Sequence, residues 1–286
     1  MIRNWPYQDT ETGVLTKIPD NVNYFNKIKL SSLDPKEYYK LVRYGKWRGS
    51  SLNACKGFAQ GTLIVIQKEY ANEFILFCIR NPKPFPLVEI TKVGEPIFQE
   101  NAPDADIRTD LPKYYIFRDG KIIDECINIE KYWNKESIGI LIGCSRTFIW
   151  EFEDKKISWK RYGIYRSNID CKQVGSISGK MAVSILGFTN SSDLIKAFKI
   201  SMKYPKMHGE PIHIGNPEII GVSNVGKKDD KVPGHREQPV PEKDEILLFW
   251  ACGATAQLVA IKSKIPLITH TRTFVLQKNM IEMENF

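Results

Sequence analysis

The chain has 286 residues, of which 42% are hydrophobic and 26% charged, and its net charge is +8 at pH 7. This length allows two domains or one large unit with a substantial core, and the composition excludes a disordered, collagen-like or disulfide-framed protein. The longest nearly apolar run, Ile246 to Ala254, is far shorter than the ~20 residues of a membrane-spanning helix. We expect a soluble protein with no membrane partner.

The basic excess favours a solvated surface over a nucleic-acid interface. Phosphate backbones are bound by clustered Lys and Arg, whereas the densest groups here are Lys155-Lys156 and Lys227-Lys228, and two aspartates follow the second group. We therefore expect no nucleic-acid partner, and a small anionic substrate is a second use for the charge.

The cysteines indicate a reducing compartment. Six of them are widely separated, with no Cys-x-x-Cys pair that would indicate zinc or a redox dithiol. The first twenty residues lack the features of a signal or transit peptide. We expect a cytoplasmic protein, with a mitochondrial location as the open alternative.

The first half of the chain contains both helix and strand signals. Asp34, Pro35 and Glu37 form a helix-start pattern, because Asp34 can cap, proline suits the first helical position and Glu37 can bond back to the cap. This helix should end near Gly45. Asp119-Gly120 predicts a tight hairpin turn. Further predicted elements are a strand at 63–66, a helix at 70–81, a strand at 86–91 and the hairpin strands 114–117 and 121–124.

The second half also contains both kinds of signal. Ser192 can cap a helix that Tyr204-Pro205 ends. The polar stretch from Asn224 to Glu245 is either a mobile surface loop or a functional lid. The predicted strands are 137–142, 181–186, 212–215, 246–250 and 266–270, and a helix is predicted at 255–262. The tail therefore alternates β-α-β, which predicts an α/β protein.

Three apolar strands run directly into small, polar residues: Gly143-Cys144-Ser145, Cys252-Gly253 and Gly215-Asn216. Such junctions are typical ligand sites in α/β proteins, because glycine lets a ligand approach the backbone and the next helix offers free N–H groups to an anion. The alternative is that Cys144 and Cys252 are buried, inert thiols.

Three histidines follow or flank the later strands, and histidine suits proton transfer near neutral pH. They are His208, His213 and His270. The separation of His208 and His213 is not the i, i+4 spacing of a zinc-binding helix, and no cysteine completes a recognised set. We predict no metal site.

Two aspartates surround an arginine before the predicted hairpin. Arg108 can clamp a substrate carboxylate while Asp106 or Asp110 holds or protonates another group. Equally, the aspartates can pin their own loop through backbone N–H groups. The spacing leaves these two interpretations open.

Eight collinear segments between about Arg43 and His270 resemble the hydro-lyase family related to D-glutamate cyclase. These are 54–60, 77–84, 106–112, Gly143-Cys144-Ser145, the Tyr165-Arg166-Ser167-Asn168-Ile169 run with Cys171, 208–215, 249–257 and Ile268-Thr269-His270.

The resemblance implies a lyase that releases water, with D-glutamate closing to 5-oxo-D-proline, no cofactor, and a small carboxylate or amino acid as partner. It implies the short form of the family, without the C-terminal domain of longer relatives. The implied fold is α/β: a mixed-sheet, three-layer domain from 1–120 and 205–286, and a smaller two-layer α+β domain from 121–204. A homo-oligomer is an open alternative.

The resemblance and the residue chemistry together give the predicted site. The residues assigned to proton transfer or catalysis are His213, Asp110, His208 and Cys252. The residues assigned to substrate binding are Asp106, Arg108, Cys144, Ser145, Arg166, Asn168, Gly253, Thr255 and His270.

Some positions depart from the family pattern. The residues that stand where relatives have a charge or a proton carrier are Ile149, Leu186, Asn216, Asn224 and Phe274. None of them titrates near neutral pH. A second hypothesis is therefore a catalytically inactive relative that binds small anions or acts in regulation.

Overall fold

The computed structural model describes residues 30–223, 225–226, 232, 239–270 and 273–284. Within these residues the chain forms five α-helices and eleven β-strands. The helices are α1 (Pro35–Arg43), α2 (Lys68–Arg80), α3 (Arg146–Asp154), α4 (Ser191–Met202) and α5 (Thr255–Ser263). In the described part of the chain, no helix has the length and apolar character needed to cross a membrane.

The strands are short to medium in length and are joined by the helices and by turns. They are β1 (Phe58–Gln67), β2 (Leu87–Ile90), β3 (Tyr114–Arg118), β4 (Lys121–Cys126), β5 (Ser137–Gly143), β6 (Lys160–Asp170), β7 (Lys180–Phe188), β8 (His213–Ile214), β9 (Ile246–Ala251), β10 (Leu267–Thr269) and β11 (Phe274–Asn279).

These strands form two sheets. The larger sheet has seven strands in the order β2-β5-β1-β10-β3-β4, with β11 also paired to β1, and the smaller sheet has the order β6-β7-β9-β8. The chain combines helices and strands, as predicted for an α/β protein, and its tail has the predicted order β9-α5-β10. Every pair among the described strands is antiparallel, so the mixed sheet expected from the sequence is not found. The physical reason is that α5 connects β9 of the smaller sheet to β10 of the larger one, so the β-α-β tail joins two sheets instead of forming a parallel pair.

The local signals at the chain's first helix and hairpin are confirmed. Asp34 accepts a hydrogen bond from the Lys36 N–H, and the Glu37 carboxylate accepts one from the Asp34 N–H, which together complete a capping box. Asp119 and Gly120 both have positive φ, of 50° and 75°, and connect β3 to β4. This is the conformation that a two-residue hairpin turn requires.

The larger sheet separates two apolar cores. Along β1, Leu63 and Val65 pack into a first core with residues of α1, α3 and α4, whereas Ile64 and Ile66 pack into a second core with residues of α2 and α5. This alternation follows from the two-residue period of a strand. The first core also contains Trp250 of β9, whose ring lies 6.0 Å from that of Phe148 in α3. The first core therefore links α3 to the smaller sheet.

The two sheets draw on segments that are distant in sequence. The smaller sheet combines β6 and β7 with β8 and β9, and β5 belongs to the larger sheet. The predicted domain boundaries and numbers of layers stay predictions.

Candidate active site

Two strand-to-helix junctions, one from each sheet, carry a cysteine. Cys144 directly follows β5 and precedes α3, and Cys252 directly follows β9 and precedes α5. Both are free and half-buried, and the two thiols lie close enough to interact electrostatically. The two junctions that the sequence marked separately are therefore parts of one centre, which we call the cysteine centre: Cys144, Cys252 and the residues in contact with them.

Burial is the main influence on the two thiols. It raises the pKa of Cys144, and it raises the pKa of Cys252 to about 12. Smaller effects lower the pKa of both: the backbone N–H of Arg146 bonds to Cys144, and that of Ala254 bonds to Cys252. The net result is that both groups are protonated thiols at neutral pH and can donate protons.

Gly253 lets the second junction approach the larger sheet closely. A Cβ atom at this position would lie 2.7 Å from the Thr62 Oγ1 atom and 3.2 Å from the Ile142 Cδ1 atom. Thr62 belongs to β1 and Ile142 to β5, two residues before Cys144. The missing side chain thus allows the segment after β9 to lie against the end of β5, which brings the two cysteines together.

A cation that the sequence did not single out completes the centre. Arg161 of β6 interacts electrostatically with both thiols and lowers the pKa of each. Its side chain is partly buried, and no hydrogen bond or ion pair joins it to another described residue. No local motif marks this arginine, because its position depends on how β6 pairs with β7 in the folded sheet.

Thr255 holds the cysteine centre in place. Its hydroxyl donates to the Cys252 carbonyl at 2.6 Å and accepts a hydrogen bond from the Ala182 N–H at 3.0 Å. The Cys252 N–H in turn donates to the Ala182 carbonyl at 3.0 Å. These bonds fix Cys252 against β7, and Thr255 is fully buried.

His208 is buried against the backbone of Gly143. Its Nδ1 atom is 2.7 Å from the Lys83 carbonyl oxygen, it has a backbone hydrogen bond with Gly143, and it is 1% exposed. Burial lowers its pKa to about 4, so the ring is neutral at physiological pH. The structure therefore gives this residue a role in anchoring the turn after α4 to the end of β5.

The other two described histidines are also engaged with the backbone. The Nε2 atom of His270 accepts the Leu63 N–H at 2.7 Å, which places the proton of the neutral ring on Nδ1. The Nε2 atom of His213 lies 2.8 Å from the Asn216 carbonyl oxygen, and its ring packs on Phe249 at 5.1 Å. His213 is on edge strand β8 opposite Phe249, which packs into a different core from Trp250, on the other face of the smaller sheet.

The loop before β3 pins itself, which was one of its two predicted roles. Arg108 pairs with Asp106 through its Nε and Nη2 atoms at 2.9 and 2.7 Å. The fully buried Asp110 pairs with Arg43 at 2.9 and 2.6 Å and also accepts the Asp106 N–H at 2.8 Å. The charges of Asp110 and Arg43 are thus matched within the protein.

The remaining predicted residues fall into two groups. Ser145 is half-buried at the start of α3, next to Cys144, and makes no side-chain capping bond. Arg166 and Asn168 are exposed on β6, where the Asn168 carbonyl accepts a hydrogen bond from Lys180.

The predicted convergence of Asp106, Arg108, His213 and Cys252 on one cavity is not seen in the contacts of the described residues. A cavity of about 450 Å³ lies instead near the start of β9, and its lining includes Asn216, Glu242 and Glu245. Cys252 is at the opposite end of that strand. The cavity and the cysteine centre are therefore separate features.

Three positions that depart from the family pattern are parts of the first core: Ile149, Leu186 and Phe274. Asn216 caps a short helical turn by accepting the Glu218 N–H at 3.0 Å. Asn224 lies outside the described residues, as does most of the predicted lid. In the described part of the chain, no group of three His, Cys, Asp or Glu side chains could hold a metal ion.

The fold and the cysteine centre define an α/β protein with a two-thiol, one-arginine site between two antiparallel sheets. Residues 138–277, which span both junctions, match the family model described as D-glutamate cyclase. A protein of Bacillus subtilis named "Putative hydro-lyase YcsI" is 40% identical over 245 residues, which are 82% of this chain and 92% of that protein. The chain belongs to this hydro-lyase and D-glutamate cyclase family.

Relatives from other bacteria show similar agreement. A protein of Bacillus licheniformis named "Putative hydro-lyase BLi00500/BL02808" is 36% identical over 85% of this chain and 93% of its own length. One of Bradyrhizobium diazoefficiens named "Putative hydro-lyase blr2921" is 36% identical over 85% of this chain and 90% of its own. Among solved structures, a nitrogen repressor-like protein of Methanococcus jannaschii covers 85% of this chain and 94% of its own with a TM-score of 0.36 and 11% identity.

Proposed function

We propose that the protein is a hydro-lyase that acts on a small carboxylate or amino acid, with D-glutamate as the first candidate and 5-oxo-D-proline and water as products. The observation that carries this proposal is the pairing of two protonated thiols, Cys144 and Cys252, beside Arg161. Family membership supplies the reaction class.

The chemistry needs an acid, because hydroxide is a poor leaving group. In the proposed cyclisation, the amine nitrogen of D-glutamate forms a bond to the side-chain carboxyl carbon, and one carboxyl oxygen leaves as water. The ammonium group gives up two protons and the departing oxygen takes up two. Each thiol delivers its proton to the departing oxygen, and the resulting thiolate takes up a proton from nitrogen, so both thiols are regenerated at the end of the turnover.

The histidines contribute less to this proposal than the sequence indicated. The ring nitrogens of His208 are bonded to the backbone, and the Nε2 atom of His270 accepts a backbone N–H. We therefore assign the proton transfers to Cys144 and Cys252, and we assign the binding of charge to Arg161 and the two helix N-termini.

Incubation of the purified protein with D-glutamate, L-glutamate and small hydroxy acids tests the proposal. Products are separated by chiral chromatography and identified by mass. We expect a loss of one water from one acid of the panel, with D-glutamate the fastest. If no acid of the panel is converted, the proposal is wrong.

A second candidate is a small-anion binding or regulatory protein without turnover. It is favoured by the burial of Ile149, Leu186 and Phe274 in an apolar core, because none of these three side chains carries a proton or a charge. It predicts thermal stabilisation by small dicarboxylates, because a ligand that binds only the folded state adds RT ln(1 + [L]/Kd) to stability. Stabilisation without conversion of any acid would favour this candidate.

A further inference from the structure

We propose that Arg161 is the carboxylate-binding residue of the cysteine centre, and that it holds one carboxylate of a small dicarboxylate or amino acid against Cys144 and Cys252. The inference rests on the proposed function for the substrate class. It goes further by assigning the binding of that carboxylate to a residue that no sequence motif marks.

The strand register places the Arg161 side chain on the face of the smaller sheet that is directed at α3. Arg161 is directly opposite Leu186 in β7, and Leu186 is directly opposite Leu248 in β9. Residues that face each other across antiparallel strands point to the same side of the sheet. Leu186 and Leu248 pack into the first core, which also contains Phe148 of α3. The Arg161 side chain thus starts on the face of the smaller sheet that is directed at α3.

A second pair in the same sheet supports this placement. Ile164 of β6 is opposite Ser184, which is opposite Trp250 of β9, two residues before Cys252. Ile164 packs with Ala254, and Cys252 lies against the same small cluster. Leu186 and Ser184 are two residues apart in β7 and share a face, so their partners Arg161 and Ile164 share a face of β6. This face is next to the second cysteine junction.

The positive charge of Arg161 also differs from that of other arginines in its pairing. Arg43, Arg108 and Arg146 each form an ion pair with a carboxylate. Arg161 is partly buried, as Arg108 is, but no carboxylate pairs with it among the described residues. A partly desolvated guanidinium is stabilised by an anion, and a carboxylate matches its planar, two-donor geometry.

The N-termini of α3 and α5 add to the positive electrostatic potential of Arg161. The N–H groups of Arg146 and Ala254 are directed at the two sulfur atoms, so α3 and α5 both present their positive ends to the centre. An anion placed between the thiols would be attracted by Arg161 and by both helix starts. The thiols would then lie beside the bound carboxylate, where the proposed proton transfers take place.

Two alkylating reagents of nearly equal size test this inference without turnover. Iodoacetate carries a carboxylate and iodoacetamide is neutral, and both react with the same thiolate, so the ratio of their rates at one cysteine does not depend on the pKa of that thiol. The rates at each cysteine are measured by peptide mass spectrometry. Cys126, which is half-buried at the end of β4, is the internal control.

We expect the iodoacetate-to-iodoacetamide ratio at Cys144 or Cys252 to exceed that at Cys126 by at least ~10-fold, which corresponds to about 1.4 kcal/mol of preferential binding. Glutarate should lower the ratio at Cys144 or Cys252 towards that at Cys126. Arg161→Gln should reduce the ratio to that of Cys126, and Arg161→Lys should retain part of the excess. Arg118→Gln, which changes an exposed arginine on β3, is the matched control and should leave the ratio unchanged.

Equal ratios at all three cysteines, or an excess that survives in Arg161→Gln, would overturn the inference. If Cys144 and Cys252 resist both reagents, the thermal shift with glutarate decides: a shift in the wild type that is lost in Arg161→Gln supports the inference, and no shift in the wild type overturns it.

An Arg161-dependent excess without conversion of any acid would refute the proposed function alone. Conversion that is unchanged in Arg161→Gln would refute the inference alone.

Discussion

The thiols of Cys144 and Cys252 interact although the two residues end strands of different sheets. Each occupies the same local position, between a buried strand and the first turn of a helix, and each sulfur receives a backbone N–H from the residue two places later. This common geometry gives two proton donors in one place. It requires the junctions after β5 and β9 to approach closely, and Gly253 permits that approach.

Replacing either cysteine of the centre by serine should reduce activity strongly. A serine hydroxyl is similar in shape, but it is a much weaker acid than a thiol. We expect Cys144→Ser and Cys252→Ser each to lower kcat/KM by at least ~100-fold, the usual contribution of a positioned proton donor or acceptor. The melting temperature should change little. Cys126→Ser, outside the centre, is the control, and an equal loss in that variant would contradict the assignment.

Gly253→Ala should separate the two junctions. The added Cβ atom would meet the Thr62 Oγ1 atom at 2.7 Å, and overpacking of this kind costs about 1–3 kcal/mol. We expect a lower free energy of unfolding, measured with urea, together with lower kcat/KM. Thr62→Ala removes the clashing oxygen, so the double variant should recover part of both losses. Additive losses in the double variant would show that the close contact with Thr62 is not the cause.

Stability should fall in acid because of His208. Its folded pKa is about 4, below the ordinary value of ~6.5, so its contribution is complete above pH ~6.5 and is lost as the pH falls towards 4. The shift corresponds to about 3 kcal/mol in the free energy of unfolding. Urea unfolding at pH 7.5 and 4.5 measures the difference.

The matched variant for this pH effect is His208→Asn. Asparagine tolerates the left-handed φ of 79° at this position, and it does not titrate. This variant should lose part of the acid sensitivity, whereas His213→Gln on the edge strand should keep all of it. Equal pH dependence in His208→Asn and the wild type would contradict the role of His208.

Asp110→Asn should affect stability and not chemistry. The buried carboxylate pairs with Arg43 and accepts the Asp106 N–H, so its replacement should cost about 1–3 kcal/mol in the free energy of unfolding. At 25 °C the folded variant should keep kcat/KM within ~3-fold of the wild type. A loss of ~100-fold or more in a fully folded Asp110→Asn variant would restore the catalytic role that the sequence pattern left open.

Local features of the sequence predicted local structure well. The capping box of α1 and the Asp119-Gly120 turn depend on residues a few positions apart, and both formed as expected. Sheet pairing could not be predicted in the same way, because α5 carries the chain from one sheet to the other and no local pattern records that crossing.

The cysteine centre shows the same limit. The strand-to-helix pattern marked Cys144 and Cys252 individually. Their proximity depends on the contact of Gly253 with Thr62, and the position of Arg161 depends on its pairing with Leu186 across β6 and β7. The charged residues Asp106 and Arg108 were predicted to bind substrate because they lie close together in sequence. In the structure their charges are matched within the loop itself.

The most direct test of the account is a single assay of D-glutamate conversion to 5-oxo-D-proline. Wild-type protein, the Cys144→Ser/Cys252→Ser double variant and the Cys126→Ser control are compared at equal concentration by chiral chromatography. We predict conversion by the wild type and by the control, and none above background by the double variant. Conversion by the double variant at the wild-type rate would contradict the assignment of the cysteine centre as the active site.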